Sequence, residues 1–370
     1  MDPDVEVQNS VIGNVAALTT EPLIVPAGEI KDLIEEVLLA HGANAADADT
    51  QAAFLLEGNL RDQQSHGLQR LDVLVGRIRN GVLRCDTTPE MTWVTDVALR
   101  VDGHAGFGPV VAHRTISELI ARADRTGIAL GLIHNSNHLG MLAPYVERIA
   151  KAGQIGIVTT TSEALVHPFG GAKAMVGTNP FAMGVPTEGE PFALDMSTGS
   201  ISMGKILSYA ERGEPMPLGW AIDADGQPTT DAVAAKEGAI SPFGGAKGYA
   251  LGLALELLVA SLTGTAMGDA VTGTLDKVNG CTKGDVLLCF SPIALGLSAA
   301  RVASSTQQYL DDVRESPRAN PAVPIAVPGD RARRSRDHRL GHGVPLDRGT
   351  WSNALALLNE ARNISELRAG

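Results

Sequence analysis

The sequence is short of cysteine: three in 370 residues, Cys85, Cys281 and Cys289, an odd count with no CxxC pair. This excludes a disulfide framework and a cysteine-built zinc site, and it suits a reducing compartment. Positive charge is the second shortage. Lys and Arg number 30 against 42 Asp and Glu, a formal net charge of −12. A general nucleic-acid binder would carry the opposite balance, so no nucleic-acid partner is expected. Long apolar runs are the third. The segment "VLLCFSPIALGLSAA" (286–300), read as the most apolar, is interrupted by Pro292 and falls short of the roughly 18 residues of a span. The start, "MDPDVEVQNS", is acidic and has no apolar core of a signal peptide. A cytoplasmic protein without a membrane partner is the expectation.

Several catalytic signatures are missing too. No GxGxxG links a strand to a helix, since "GHAGFG" (103–108) has the wrong spacing. No GxxxxGK[ST], HExxH or GxSxG occurs, which removes the P-loop, the HExxH zinc site and the nucleophile elbow.

What is present is 44% apolar residues on a chain long enough for two domains, or for one with a large excursion. Residues 1–24 show no periodicity and read as an arm. From 25 to 96 the pattern is helical: Ile30, Leu33, Ile34, Val37 and Leu38 share one stripe, and Leu68, Leu71, Val75 and Ile78 another. From 97 to 296 strands ("VALRVDG", "IALGLIH", "QIGIVTTT", "FAMGVP", "PFALDMS", "DVLLCFSP") alternate with helices without a regular βαβ count. "GYALGLALELLVASLTG" (248–264) reads as a long buried helix. Segment 297–370 is helical again and is expected to rejoin the first helices. The fold class is α/β, a mixed sheet plus a helical domain formed from both termini.

Five stretches could carry chemistry. "HNSNHLG" (134–140) follows an apolar strand read as ending at Ile133, with a helix read as starting near Leu139. Ser136 or Asn137 could cap that helix; a cap leaves His138 unexplained, and a neutral histidine near a helix N-terminus can accept a proton. "SHGLQR" (65–70) puts His66 and Arg70 on one face if helical, either as solvated side chains or as a carboxylate-binding pair. "PFGGAKAM" (168–175) and "PFGGAKGY" (242–249) are tight turns, and the second could offer Lys247 and backbone N–H groups to a phosphate. "LDMSTGS" places Asp195 at a strand end, as a helix cap or a ribose or amide contact. "PGDRARRSRDHR" (328–339) is either a solvated helix or a positive patch for a cofactor phosphate. No ordered metal motif is expected, although a lyase or metal-dependent hydrolase built on His66, His138 and Asp195 is a rival reading. A catalytically idle nucleotide-binding protein is another.

Together, "SHGLQR", "NSNHLG", "PFGGAKAMVGTNP", "LDMSTG", "GWAIDADGQPTTD", "PFGGAKGYALGLALELL" and "VPGD" resemble, in order and spacing, the malate/L-lactate/L-sulfolactate dehydrogenases that lack a Rossmann domain. That family includes ureidoglycolate dehydrogenase and diketogulonate and cyclic-imine reductases. The resemblance covers about residues 25–365. It implies an NAD(P)-dependent 2-hydroxyacid dehydrogenase, using NADPH or NADH on a small carboxylate substrate, in a homodimer whose active site is shared between subunits. It makes His138 the acid/base, with His66 and Arg70 as substrate contacts and Ser162 at a substrate or nicotinamide position. Glu163 stands where some relatives carry an aspartate supporting the histidine. Asp195, Met196 and Ser197, Lys247 and Gly248, and Pro328, Gly329 and Asp330 are implied cofactor contacts.

Overall fold

The helical stripes and strand runs of the sequence become elements in a computed structural model that describes residues 22–369. Most of the expected N-terminal arm, through residue 21, lies outside the described residues. Its end is not an arm, because Leu23–Val25 is strand β1. In chain order there follow α1 (Ala27–Ala40), α2 (Ala45–Leu60), a 3-10 turn at Gln64–His66, α3 (Arg70–Arg79), β2 (Glu90–Trp93), β3 (Ala98–Gly106) and α4 (Gly108–Thr126). Next come β4 (Ile128–Ser136), α5 (Ala143–Lys151), β5 (Ile155–Thr160), β6 (Ala164–Val166), β7 (Val176–Gly177), β8 (Phe181–Val185) and β9 (Phe192–Met196). The chain continues through α6 (Met203–Arg212), β10 (Ala221–Ile222), β11 (Pro228–Thr229), α7 (Ala232–Glu237), β12 (Ala239–Ile240) and α8 (Ala246–Thr263). It closes with β13 (Asp285–Phe290), α9 (Ala299–Glu315), α10 (Asp330–His342), β14 (Val344–Leu346) and α11 (Arg348–Ala369).

The main sheet has seven strands in the order β2-β3-β4-β13-β5-β8-β9. Only β3 and β4 run parallel within it; the others pair antiparallel, with β13 wedged between β4 and β5. The mixed sheet of the sequence reading is therefore correct, but it begins at Glu90, inside the stretch read as helical. A second sheet, β11-β10-β12-β6-β7, was not foreseen. With α6 and α7 it closes over its own core of Val166, Ile201, Ile206, Met216, Ala221 and Ile240.

The helical layer buries both stripes and draws on both ends of the chain. Ile30, Ile34, Leu38, Leu71 and Val75 pack with Trp351, Leu357 and Leu358 of α11, and β1 pairs with β14. Segment 297–370 rejoins this layer only in part, since no residue of α9 is buried.

Helix α8 also departs from the sequence reading. It buries Gly248, Gly252, Leu255, Glu256 and Val259 on one side, while Leu251, Leu257, Leu258 and Leu262 are exposed on the other. By length and composition it is the candidate for a membrane span that the 286–300 segment was not. Its buried face is seated on the fold, however. The Glu256 carboxylate accepts from Gly177 N (3.0 Å), Asn179 Nδ2 (2.8 Å) and Gly268 N (2.5 Å).

Candidate active site

Strand β4 runs to Ser136, past the expected end at Ile133, and the next helix starts at Ala143 rather than near Leu139. The cap is accordingly not Ser136 or Asn137. Asp195 Oδ2, from the end of β9, accepts Leu142 N and Ala143 N at 2.8 Å each, a carboxylate at the positive end of α5. Asn137 is used otherwise. Its Oδ1 accepts Arg77 Nε (2.8 Å), and its Nδ2 donates to Ala105 O (2.6 Å) and Gly106 O (3.1 Å). This fixes the backbone one residue before His138. Gly108 permits the approach, because a Cβ there would lie 2.3 Å from the His138 carbonyl oxygen.

His66 and Arg70 do not share a helix. His66 ends the 3-10 turn and Arg70 opens α3. The turn lies flush on α2 at Gly58, where a Cβ would meet the His66 carbonyl oxygen at 2.5 Å. The His66 and His138 rings face each other with centroids 5.5 Å apart and planes inclined at 33°. A buried ion pair holds their two segments together. Arg61 donates from Nη1 and Nη2 to the two carboxylate oxygens of Glu147 on α5, each at 2.7 Å. Such a fork matches a carboxylate in both direction and charge.

Both residues are half-exposed, yet protein surrounds their rings on most sides. This enclosure, followed by the charge of Arg70, lowers the His66 pKa to about 4. His138 lies well below its usual value for the same reason, with Arg70, His66, Lys283 and Arg77 adding to it. Both imidazoles are therefore neutral at pH 7. His138 Nδ1 accepts from Gly140 N (3.1 Å), which assigns the ring proton to Nε2. His66 Nδ1 lies 3.0 Å from Ser65 Oγ.

Ser162 and Glu163 follow β5. Ser162 Oγ accepts from Thr178 N (2.9 Å) and lies 3.0 Å from Thr178 Oγ1. Glu163 is turned away from His138: its Oε1 accepts Thr274 N (2.7 Å) and Leu275 N (3.1 Å). Arg70 Nη2 donates to the carbonyl of the same Thr274.

The implied cofactor residues surround β9. Asp195 and Met196 end it, with Ser197 next. Phe243 N donates to Thr198 O (3.1 Å), which ties this end to the turn preceding α8, with Lys247 and Gly248 at the helix start. Arg333 Nη1 donates to Pro191 O (2.8 Å), tying Pro328–Asp330 to the other end of β9. Lys247 is exposed and makes no ion pair among the described residues. Although burial opposes it, Arg314, Val327 N–H and Arg333 hold the Asp330 carboxyl down at about 2, so its side chain is committed within the protein. The arginine-rich helix is neither freely solvated nor one open patch. Arg333 binds Asp330, Arg336 binds Glu57 and Arg339 binds Asp62, leaving Arg331 and Arg334 exposed. His66, His138 and Asp195 do not converge, and no metal-holding group of His, Cys, Asp or Glu forms among the described residues.

Sequence reasoning missed the buried charges. Arg77 looks like a surface residue of α3 but is 2% exposed, and the Lys283–Asp285 pair lies sealed at the start of β13. The charged "TKGD" ahead of an apolar strand was the one available signal for the latter.

A family model described as malate/L-lactate dehydrogenase matches residues 25–354. The L-sulfolactate dehydrogenase of Methanothermobacter thermautotrophicus is 34% identical over 91% of this chain and 96% of its own length. The delta(1)-pyrroline-2-carboxylate reductase of Pseudomonas fluorescens is 34% identical over 92% of this chain and 100% of its own. A crystal structure of a dehydrogenase from Sinorhizobium meliloti superposes with a TM-score of 0.88 at 44% identity, covering 92% of this chain and 99% of the other. With its mixed sheet, its facing histidines and a match that spans nearly all the described residues, the chain belongs to the malate/L-lactate dehydrogenase family.

Proposed function

We propose that this protein is a nicotinamide-dependent oxidoreductase that interconverts a small 2-hydroxy acid and its 2-oxo acid, or reduces the C=N bond of a cyclic imine carboxylate. The observation that carries this reading is the neutral His66–His138 pair beside Arg70. A guanidinium is the side chain suited to a planar carboxylate, and a positioned imidazole to proton transfer at the neighbouring carbon's substituent.

The residues around β9 fit a dinucleotide. The start of the 18-residue helix α8 presents unpaired backbone N–H groups with exposed Lys247 beside them, an arrangement that favours phosphate. Asp195 Oδ1 has no hydrogen-bond partner among the described residues and keeps its acceptor capacity. Met196, Ser197, Pro328 and Gly329 contribute the adjoining surface. When bound, NADPH or NADH supplies the hydride, or its oxidised form accepts it.

The chain's own contribution follows from the site. Arg70 keeps N–H groups beyond the one given to Thr274 and holds the substrate carboxylate with them. His138 Nε2–H then donates to the carbonyl oxygen or imine nitrogen. The substrate carboxylate offsets Arg70, one of the charges that depress both imidazole pKa values. Substrate binding thus raises the proton affinity of the pair where reduction needs a proton. Ser162 closes the far wall.

Two further statements complete the reading. The exposed leucines of α8 form an apolar face suited to a second copy of the chain, giving a homodimer. Three unpaired cysteines suit the cytoplasm. The test is oxidation of NADPH and NADH by the purified protein against pyruvate, oxaloacetate, sulfopyruvate and a cyclic imine carboxylate. Turnover on one supports the reading and selects the cofactor; none on any defeats it.

A further inference from the structure

Backbone strain gathers in the strands that lead to His138. Among the described residues, five other than glycine take a left-handed φ, and three of them adjoin: His104 (49°), Ala105 (58°) and Asn135 (50°). That conformation is costly for a residue with a Cβ, and Ala105 has no polar group to compensate. It falls where β3 and β4 leave the sheet together. Their pairing passes from Asp102 opposite His134 to Gly106 opposite Ser136, so Gly103, His104 and Ala105 bulge against the single Asn135. Gly103 allows the fit, since a Cβ there would meet Asn135 O at 2.8 Å. The bulge brings two carbonyls to Asn137, the residue before His138. Asn137 donates Nδ2 to Ala105 O (2.6 Å) and Gly106 O (3.1 Å), and its N–H to Gly106 O (3.1 Å). One carboxylate spans the strain. Asp102 Oδ1 accepts His104 N and Asn135 Nδ2, each at 2.8 Å, and so bonds a left-handed residue on either strand. Although burial opposes it, these bonds hold the Asp102 carboxyl below its ordinary value.

Resting on the reading of His138 as the acid/base of a dehydrogenase, we propose that Asp102 is a positioning residue for His138. It acts through the bulge and Asn137 and touches no ligand. The register gives the size of the effect. Were β3 to continue regularly, His104 would lie opposite Ser136, and Gly106 would move two residues further, about 7 Å along the strand. Asn137 would then lose both carbonyls, and of its side-chain partners only Arg77 would remain. Regular strand is also what residues with a Cβ prefer, so the bulge persists only while its surroundings hold it. Arg84 N meets the Ala105 carbonyl (2.9 Å), but among the described residues Asp102 alone joins the left-handed residues of the two strands. With its side chain 34% exposed, Asp102 contributes little to the core and acts chiefly on the loop.

The experiment measures kcat and KM of the full-length protein in wild type, Asp102→Ala and Asp102→Asn, with whichever of pyruvate, oxaloacetate, sulfopyruvate and a cyclic imine carboxylate is turned over. Asp102→Ala is expected to lower kcat by about 10–100-fold. KM, and NADPH or NADH affinity read by fluorescence titration, should stay near wild type. Asp102→Asn keeps an oxygen for both donors and is expected to recover most of the loss. An undiminished kcat in Asp102→Ala overturns the proposal, as does a loss carried by KM alone or one that Asp102→Asn shares in full. If melting curves show Asp102→Ala unfolded, Asn135→Ala and Asn135→Gly replace it. Both lose the bond to Asp102, but only alanine is strained at a left-handed φ. Asn135→Ala should therefore lose more kcat than Asn135→Gly, and equal values overturn the proposal. If wild type turns over none of the four, the dehydrogenase reading fails by itself. The positioning is then read from the His138 imidazole NMR signal, assigned by its loss in His138→Ala. A signal moved by Asp102→Ala and returned by Asp102→Asn sustains the proposal; an unmoved signal ends it.

Discussion

His134 and His138 stand in one seven-residue stretch, "HNSNHLG", and have opposite surroundings. His134 is still on β4, in register with Asp102 of β3, and its Nε2 lies 3.6 Å from the Asp102 carboxylate at the edge of the sheet. Asn135 then takes a left-handed φ of 50° and bonds Asp102 as well, a conformation asparagine tolerates better than most residues. The strand leaves the sheet after Ser136, and His138 is carried across to face His66. One histidine has carboxylate neighbours and water; the other has cations and enclosure. Register and exit from a strand, more than residue type, divide a surface histidine from a candidate catalytic one.

The sharpest way to break this contrast is to delete each ring. His138→Ala is expected to lower turnover by about 10²–10⁴ while nicotinamide binding, read by fluorescence titration, survives. Undiminished turnover would remove His138 from the chemistry. Next in size is Glu147→Ala, which leaves Arg61 with Glu57 alone (2.7 Å) and removes the partner that ties the two histidine segments together. Breaking a buried pair typically costs about 3–5 kcal/mol, and a urea melt would show the loss. A smaller effect is expected for Arg77→Met, which leaves the Asn137 oxygen unpaired at a cost of about 1–3 kcal/mol. Because it loosens the residue before His138, it should lower kcat more than it raises KM.

Acidity separates the histidines differently. The unfolded chain protonates His66 near 6.5, whereas the folded protein resists until about 4. The unfolded state thus binds more protons in that window, so stability is full above about 6.5 and declines as pH falls toward 4. His138 adds to this in the same direction. A His66→Asn variant would show a shallower decline between those values in thermal melts, and an identical slope would discount the buried-histidine account. The smallest effect belongs to His134→Ala, expected within about 0.5 kcal/mol of wild-type stability and with activity unchanged.

Much of this molecule was legible in its sequence where the cause was local. The stripe Ile30–Leu38 is buried, and Gly127 closes α4 with a φ of 82°. His66 and His138, singled out by separate motifs, face each other in the structure. The misreadings share a physical origin in distant partners. Asp195 replaced Ser136 and Asn137 as the cap of α5 from the far end of the sheet, and Arg77 meets Asn137 and Asp276 by contacts that no periodicity encodes. The second sheet was hidden because its strands are mostly two or three residues long, too short for an alternation to register. The repeated octets make the same point. Pro168–Met175 leads into a strand and Pro242–Tyr249 opens a helix, and where the first carries Ala174 the second has Gly248, whose Cβ would lie 1.9 Å from the Phe243 carbonyl oxygen.

The wedged position of β13 has a consequence in time. While the chain is being synthesised, β4 and β5 emerge early, each with an edge that only Asp285–Phe290 will later cover. Until then the two halves of the sheet have no strand between them, and their apolar edges are open to wrong pairing. Closing so long a loop is slow relative to forming the local helices. The loop that carries His138 therefore gains a finished sheet behind it only when most of the protein has been made, and the candidate site is among the last features of the molecule to come into being.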